Sequence, residues 1–279
     1  MATVFMFPGQ GSQSVGMGAE FFDRFSDLVA EADEILGYSI KELCLENPDE
    51  KLGSTDHTQP ALYVVDALSF LAKVEDEKAS PDYVIGHSLG EYVALYAAGA
   101  FDFATGLRLV QKRGELMHKA TGGGMAAILG MDGTSVKKAL AELGADTIDM
   151  ANFNSPRQTV ISGIKEDIEK FAPMLKEKGA RRVVILPVSG AFHSRYMKPA
   201  AEEFDAFLKG FSFGNLKIPC IANCNAKPYT VDAIHSNLIS QIYSSVLWVE
   251  TIRSLRDKGA DEFIEVGPGG VLSGLARQI

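Results

Sequence analysis

Apolar and polar positions fall into two alternating rhythms along the chain. Short apolar runs, which read as buried strands, are followed by stretches with apolar residues three and four apart, which read as helices. Thr3–Phe7 is the first such strand, and Glu20–Leu36 the first amphipathic helix. The polar stretch over 46–58 predicts loop and short helix, and Gln59-Pro60 opens a helix running to Leu71. Tyr83–Ile85 is a strand, the alanine-rich run after Gly90 is a helix, and Phe103–Lys119 is another. Beyond Gly122-Gly123-Gly124, a strong breaker, the rhythm changes. Met125–Leu129, Thr147–Ala151, Thr159–Ser162 and Arg182–Leu186 read as strands, and Thr134–Leu143 and Lys165–Lys178 as helices. The order β-α-β-β-α-β is that of a ferredoxin-like unit. Residues 125–187 are therefore expected to form a small domain inserted into a larger α/β domain of residues 1–124 and 188–279. In the latter, Met197–Leu208, Ala233–Ile242 and Trp248–Lys258 read as helices, Cys220–Asn223 and Glu262–Val266 as strands.

One junction in this pattern carries chemistry. The strand Tyr83–Ile85 runs into Gly86-His87-Ser88-Leu89-Gly90 and then straight into a helix. This is a G-x-S-x-G elbow in its proper strand–turn–helix setting. The glycines stand where a side chain would collide with the turn. Ser88 would be held out as a nucleophile, with the Leu89 N–H free to donate to an oxyanion; the alternative is an ordinary strand–helix turn.

A serine nucleophile needs a base. Of the five histidines, His57, His118 and His235 sit in polar surroundings. His87 adjoins Ser88, but an elbow turns its side chain away, so it reads as a packed neighbour that shapes the site. His193 lies in a glycine-containing loop after a strand, within an apolar string. Either it is the base or it is a satisfied core histidine. No acidic residue before it stands out as an orienter, so a dyad held by a carbonyl is expected. Arg113, on an apolar-faced helix, is either a solvated charge or a clamp for a carboxylate. It shares a face with Met117, four residues on.

Composition narrows the class. The chain has 279 residues, 46% hydrophobic and 23% charged, as in globular proteins. Net charge −9 argues against nucleic acid. The three cysteines are too scattered for a disulfide framework, and no apolar run reaches membrane-spanning length. A cytoplasmic protein with no membrane association is expected. The loop Pro8–Gln13 is neither a phosphate loop nor a dinucleotide fingerprint, since both spacings are wrong.

The motifs together resemble the malonyl-CoA:acyl carrier protein transacylase family. They are FPGQGSQ from Phe7, GHSLGEY from Gly86, QKRGELM from Gln111, GMAAILG from Gly124, NSPRQTVISG from Asn154, GAFHSRYM from Gly190 and EVGPGGVLSGL from Glu265. In detail the sequence is most similar to the discrete acyltransferases that serve modular polyketide synthases in trans, with the fatty-acid-synthesis transacylases a close alternative. The resemblance implies an α/β-hydrolase-like large domain with an inserted ferredoxin-like small domain. It implies a ping-pong transfer of malonyl from malonyl-CoA to the phosphopantetheine thiol of an acyl carrier protein, by a monomer without a permanently bound cofactor or metal. Ser88 would be the nucleophile and His193 the base. The backbone N–H groups of Gln10 and Leu89 would form the oxyanion hole, and Arg113 would grip the malonyl carboxylate. The Gln241 carbonyl would orient His193, and Met117, Phe192, His87 and Gln158 would line the substrate pocket. Phe192 before the histidine goes with malonyl over methylmalonyl, a preference of about 1–3 kcal/mol at most.

Two positions depart from the family's proline and polar residue before the tryptophan: Ser245 and Leu247. Losing the proline is expected to loosen the loop near Gln241. Two other readings remain, a serine thioester hydrolase and a non-catalytic docking module; relatives that act as editing hydrolases typically lack the arginine. Carrier proteins are usually acidic, so Lys112, Arg181, Arg182, Arg195 and Lys198 are candidates for a local basic patch.

Overall fold

A computed structural model describes residues 2–78 and 80–279. Its strands are β1 (Ala2–Phe7), β2 (Tyr83–Gly86), β3 (Gly123–Leu129), β4 (Ile148–Ser155), β5 (Gln158–Ile164), β6 (Arg182–Ile185) and β7 (Ala260–Glu265). Helices α1 (Ala19–Phe22), α2 (Ser26–Leu36), α3 (Ile40–Glu46), α4 (Thr55–Glu77), α5 (Gly90–Ala97) and α6 (Phe103–Lys119) come before β3. The expected helix over 20–36 is thus broken in two, and α4 is longer at both ends than its sequence signals suggested. Helices α7 (Gly133–Glu142) and α8 (Lys165–Glu177) lie between β3 and β6. After β6 come α9 (Lys198–Leu208), α10 (Val231–Tyr243), α11 (Trp248–Asp257) and α12 (Val271–Ala276).

β1 is the centre of a parallel sheet in the order β2-β1-β7. From Val4 to Phe7 its residues are apolar on both faces because both are covered. Phe5 and Phe7 enter the main core with α4, α5 and α6, while Val4 and Met6 pack with Trp248 and Ile252 of α11. The expected strand at Cys220 shrinks to single bridges, Cys220 to Val84 and Ile221 to Pro228. Pro219, just before it, and Pro228, across from Ile221, cannot donate to a ladder.

The second sheet is antiparallel in the order β4-β5-β3-β6. With α7 and α8 it has the β-α-β-β-α-β connectivity expected of a ferredoxin-like unit, although β3 starts at Gly123. Period-two alternation splits its apolar residues. Ala126, Ile128 and Ile161 meet α7 and α8 in a separate small core, whereas Met125, Ala127 and Val160 join the main core. The fold is α/β, an α/β-hydrolase-like body carrying a ferredoxin-like insert. The cleft between them is walled on one side by the outer face of the small sheet and floored by the C-terminal ends of β1 and β2.

Candidate active site

The elbow lies at that floor. A Cβ on Gly86 would fall 1.9 Å from the Gly90 carbonyl carbon, and one on Gly90 only 2.1 Å from the Phe7 carbonyl oxygen. Neither position can carry a side chain, so β1, β2 and α5 meet without a gap. Ser88 takes φ 53, in the left-handed region that most side chains avoid. Its N–H donates to Asn223 Oδ1 (2.8 Å), and Asn223 Nδ2 donates to the Gly86 carbonyl (2.7 Å). Those two bonds brace the turn.

His193 also sits in the left-handed region, at φ 56. Its Nε2 is 2.8 Å from Ser88 Oγ. On the other side, Nδ1 faces the carbonyls of Gln241 (2.9 Å) and Ser244 (3.2 Å). Two acceptors at Nδ1 assign the proton to that atom and leave Nε2 free to accept from the serine hydroxyl. Burial, then the charge of Arg113, push the His193 pKa down to about 3, so the ring is neutral near pH 7.

Arg113 is 1% exposed. One guanidinium nitrogen donates to Gln59 Oε1 (2.6 Å), and the other to Gln241 Oε1 (2.9 Å) and Ser88 Oγ (3.1 Å). The group lies over the Tyr92 ring, 5.5 Å from its centroid. Its acceptors among the described residues are amide and hydroxyl oxygens, not carboxylates. A positive charge held this way, against the serine and without a counter-ion in contact, has the character of an anion site.

A cavity of about 100 Å³ opens over Ser88, lined by Gln10, Gln59, His87, Leu89, Arg113, Met117, Phe192 and His193 among others. Neither Gln10 nor Leu89 donates its backbone N–H to a protein acceptor among the described residues, and both border the cavity. Leu89 stands at the start of α5, where the unpaired N–H groups and the helix dipole favour negative charge. Two larger clefts, of about 600 and 620 Å³, hold neither Ser88 nor His193, and the second adjoins this cavity through Leu186 and Val188.

Gln158 is not brought to the serine. It lines an adjoining groove of about 280 Å³ with Gln10, His87, Asn152, Asn154, Leu272 and Leu275. His87 Nε2 meets Asn154 Oδ1 at 2.8 Å and the ring packs edge-on to Trp248, so it is a fixed wall of both spaces. His57 and His118 gather at Asp56 (3.1 and 3.6 Å), and His235 lies 3.5 Å from Asp205. Of the basic candidates, Lys112 pairs with Glu115 and Arg195 with Asp149, while Arg181 and Arg182 are exposed on and beside β6.

Besides the Ser244 carbonyl at His193 Nδ1, sequence reasoning missed three side chains. Gln59 and Asn223 look like an ordinary helix opener and strand end until the chain brings them to Arg113 and Ser88. Glu91 is wholly buried beneath the elbow. Its one sequence signal is that it is a lone charge at the head of the apolar run Tyr92–Gly99.

Residues 4–278 match the family model described as acyl transferase domain. A polyketide biosynthesis malonyl CoA-acyl carrier protein transacylase of Bacillus velezensis, BaeC, is 57% identical over 278 residues, covering 99% of this chain and 96% of that protein. The crystal structure of a malonyl CoA-acyl carrier protein transacylase from Burkholderia pseudomallei superimposes with a TM-score of 0.96 at 47% identity, covering 100% of this chain and 97% of that one. A malonyl-transacylase in complex with its type II polyketide synthase acyl-carrier protein gives 0.95 at 38%, covering 100% and 93%. With most of its length matched by the family model and by relatives this similar, the chain belongs to the acyl transferase family.

Proposed function

We propose that this enzyme moves a malonyl group from malonyl-CoA to the phosphopantetheine thiol of an acyl carrier protein, serving polyketide synthesis in trans. The observation that carries the reading is a single hydroxyl, Ser88 Oγ, within hydrogen-bond reach of both a neutral imidazole and a buried guanidinium. The first activates it for acyl transfer. The second places a carboxylate beside the carbon under attack. The names of the relatives above supply the donor, the carrier and the polyketide setting.

Ser88 Oγ attacks the thioester carbonyl and gives its proton to His193 Nε2. The tetrahedral oxyanion is met by the N–H groups of Gln10 and Leu89. The C–S bond breaks, and coenzyme A leaves with the proton from the imidazolium. The carrier thiol then gives a proton to His193 and attacks the ester, and Ser88 Oγ leaves with that proton. The carbonyls of Gln241 and Ser244 hold the ring throughout, in place of a triad carboxylate. Arg113 discriminates because its buried charge stays unpaired when the acyl group lacks a carboxylate. Phe192 and Met117 limit the space around the acyl chain. We assign the division of labour between domains as 1–124 with 188–279 for the chemistry, and 125–187 for the cleft wall that carries Gln158. The net charge of −9 argues against nucleic acid as a partner.

The test is the mass of a phosphopantetheinylated carrier after incubation with the enzyme and malonyl-CoA. A gain of one malonyl group is expected, and it should vanish with Ser88→Ala. Free malonate with an unmodified carrier would establish a hydrolase instead.

A further inference from the structure

Beneath the elbow lies a buried carboxyl group that the reaction steps above do not use. Glu91, on α5, is 0% exposed. Its Oε1 accepts from the Tyr229 hydroxyl (2.5 Å) and the Asn223 N–H (3.1 Å), and its Oε2 from Gln241 Nε2 (2.9 Å). All three partners are donors, which suits an acceptor-only carboxylate.

The Gln241 amide is the link to the site. Its Nε2 donates both to Glu91 and to the Ser88 carbonyl (2.7 Å), while its Oε1 accepts from Arg113 (2.9 Å). Turning the amide over would aim its oxygen at two acceptors and its NH₂ at a guanidinium, which can only donate. Every contact would become repulsive. The amide therefore has one allowed direction, and a carboxylate at 91 sets it together with the Ser88 carbonyl.

Resting on the function proposed above, we propose that Glu91 is a positioning residue for Arg113. It fixes the direction of the Gln241 amide and so keeps an acceptor against the guanidinium. Its charge supports the buried cation from one group away and leaves the cation's face toward the cavity open to a substrate carboxylate. A carboxylate in direct contact would have closed that face.

The readout is the preference for malonyl-CoA over acetyl-CoA, measured as the rate of Ser88 acylation by intact-protein mass spectrometry. Glu91→Gln removes the charge and sets an NH₂ against a donor, either Gln241 Nε2 or the Asn223 N–H, where the carboxylate accepted from both. It should reduce malonyl acylation about ten-fold or more, chiefly through KM, with acetyl acylation changed far less. Gln241→Met removes the amide while keeping the backbone carbonyl that holds His193. If Glu91 acts through that amide, the double variant has the selectivity of Gln241→Met alone. Equal losses on both acyl groups, or effects that multiply in the double variant, would overturn the proposal.

The unsubstituted enzyme supplies a second measurement, independent of whether the variants fold. Burial pushes the Glu91 pKa up to about 7. The other titratable groups facing it are Arg113 from α6, Tyr92 on its own helix, and Cys220, Cys224 and Tyr229. Burial pushes those thiols and phenols upward, Cys224 to about 11, so none of them changes charge near neutrality. The malonyl-to-acetyl ratio should therefore narrow as pH falls from 8 to 6, and a constant ratio would reject the proposal. Arg113→Ala separates the two readings. If it leaves the ratio intact, the carboxylate clamp itself is wrong. If it collapses the ratio while Glu91→Gln does not, only the role of Glu91 fails.

Discussion

Ser88 Oγ is claimed by two groups of opposite effect. His193 Nε2, 2.8 Å away, draws its proton, and Arg113, 3.1 Å away, stabilises it as an acceptor. The same guanidinium makes His193 a weaker base, because a cation nearby disfavours the imidazolium. A carboxylate against Arg113 offsets that cation and strengthens the base at the moment the acyl group arrives. Arg113→Ala should accordingly raise the His193 pKa from about 3 toward the ordinary histidine value, while still lowering malonyl acylation. NMR titration of the His193 ring reads the first effect, and a pKa that stays put or falls would contradict the coupling. Malonate added to the unsubstituted protein should shift the same resonance in the same direction.

The elements were legible where a local rule decides them, and obscure where a distant partner does. The elbow could be read because Gly86 and Gly90 fail sterically at any other residue, whatever the rest of the chain does. Asp102 caps α6 by accepting from the Thr105 N–H (2.8 Å), so that helix also begins where its sequence says. By contrast, Glu91 looks like any charged helix residue until Tyr229, Asn223 and Gln241 are folded around it. That His193 uses carbonyls could be anticipated from the lack of an acidic orienter, but Gln241 was reachable only through the resemblance, and Ser244 was not reached at all.

α4 holds another such case. Asp66 is wholly buried, and neither carboxyl oxygen has a partner among the described residues. Burial, with the Glu265 carboxylate nearby, pushes its pKa well above the usual range, which favours the neutral form in the fold. A raised folded pKa gives stability that is full below the unfolded value, about 3.9, and is lost as pH rises through the folded one. Asp66→Asn is neutral in both states. Between pH 5 and 7 the stability difference should move in the variant's favour by about 1.4 kcal/mol per pH unit, for as long as folded Asp66 stays protonated. Thermal melts across that range decide it, and parallel curves for the two proteins would show that Asp66 is ionised in the fold.

At the scale of the molecule, the chemistry depends on how the small sheet is fastened to the body. The loop after α10 carries the Ser244 carbonyl that meets His193, and the next residues join β4. Val246 accepts from the Phe153 N–H and donates to the Ala151 carbonyl, both at 2.9 Å. Ser245 Oγ donates to the Met150 carbonyl at 2.6 Å. The loss of a proline here was expected to loosen the loop, but the serine that replaces it makes a bond to the other sheet. The two residues are alternative solutions to one problem, since a proline stiffens the loop from within and the serine ties it from outside. Ser244, at φ −105 and ψ 157, already has the extended backbone that a following proline requires. The Ser245 N–H donates to no protein acceptor among the described residues. Ser245→Ala should therefore cost about 1 kcal/mol, a fall in Tm of about 2–4 °C, and slow Ser88 acylation slightly as His193 loses a firm seat. Ser245→Pro should recover most of both losses, because it restores stiffness without disturbing a hydrogen-bonded N–H. A proline variant less stable than the alanine one would mean that the tie to β4, and not the rigidity of the loop, is what holds His193 against the elbow.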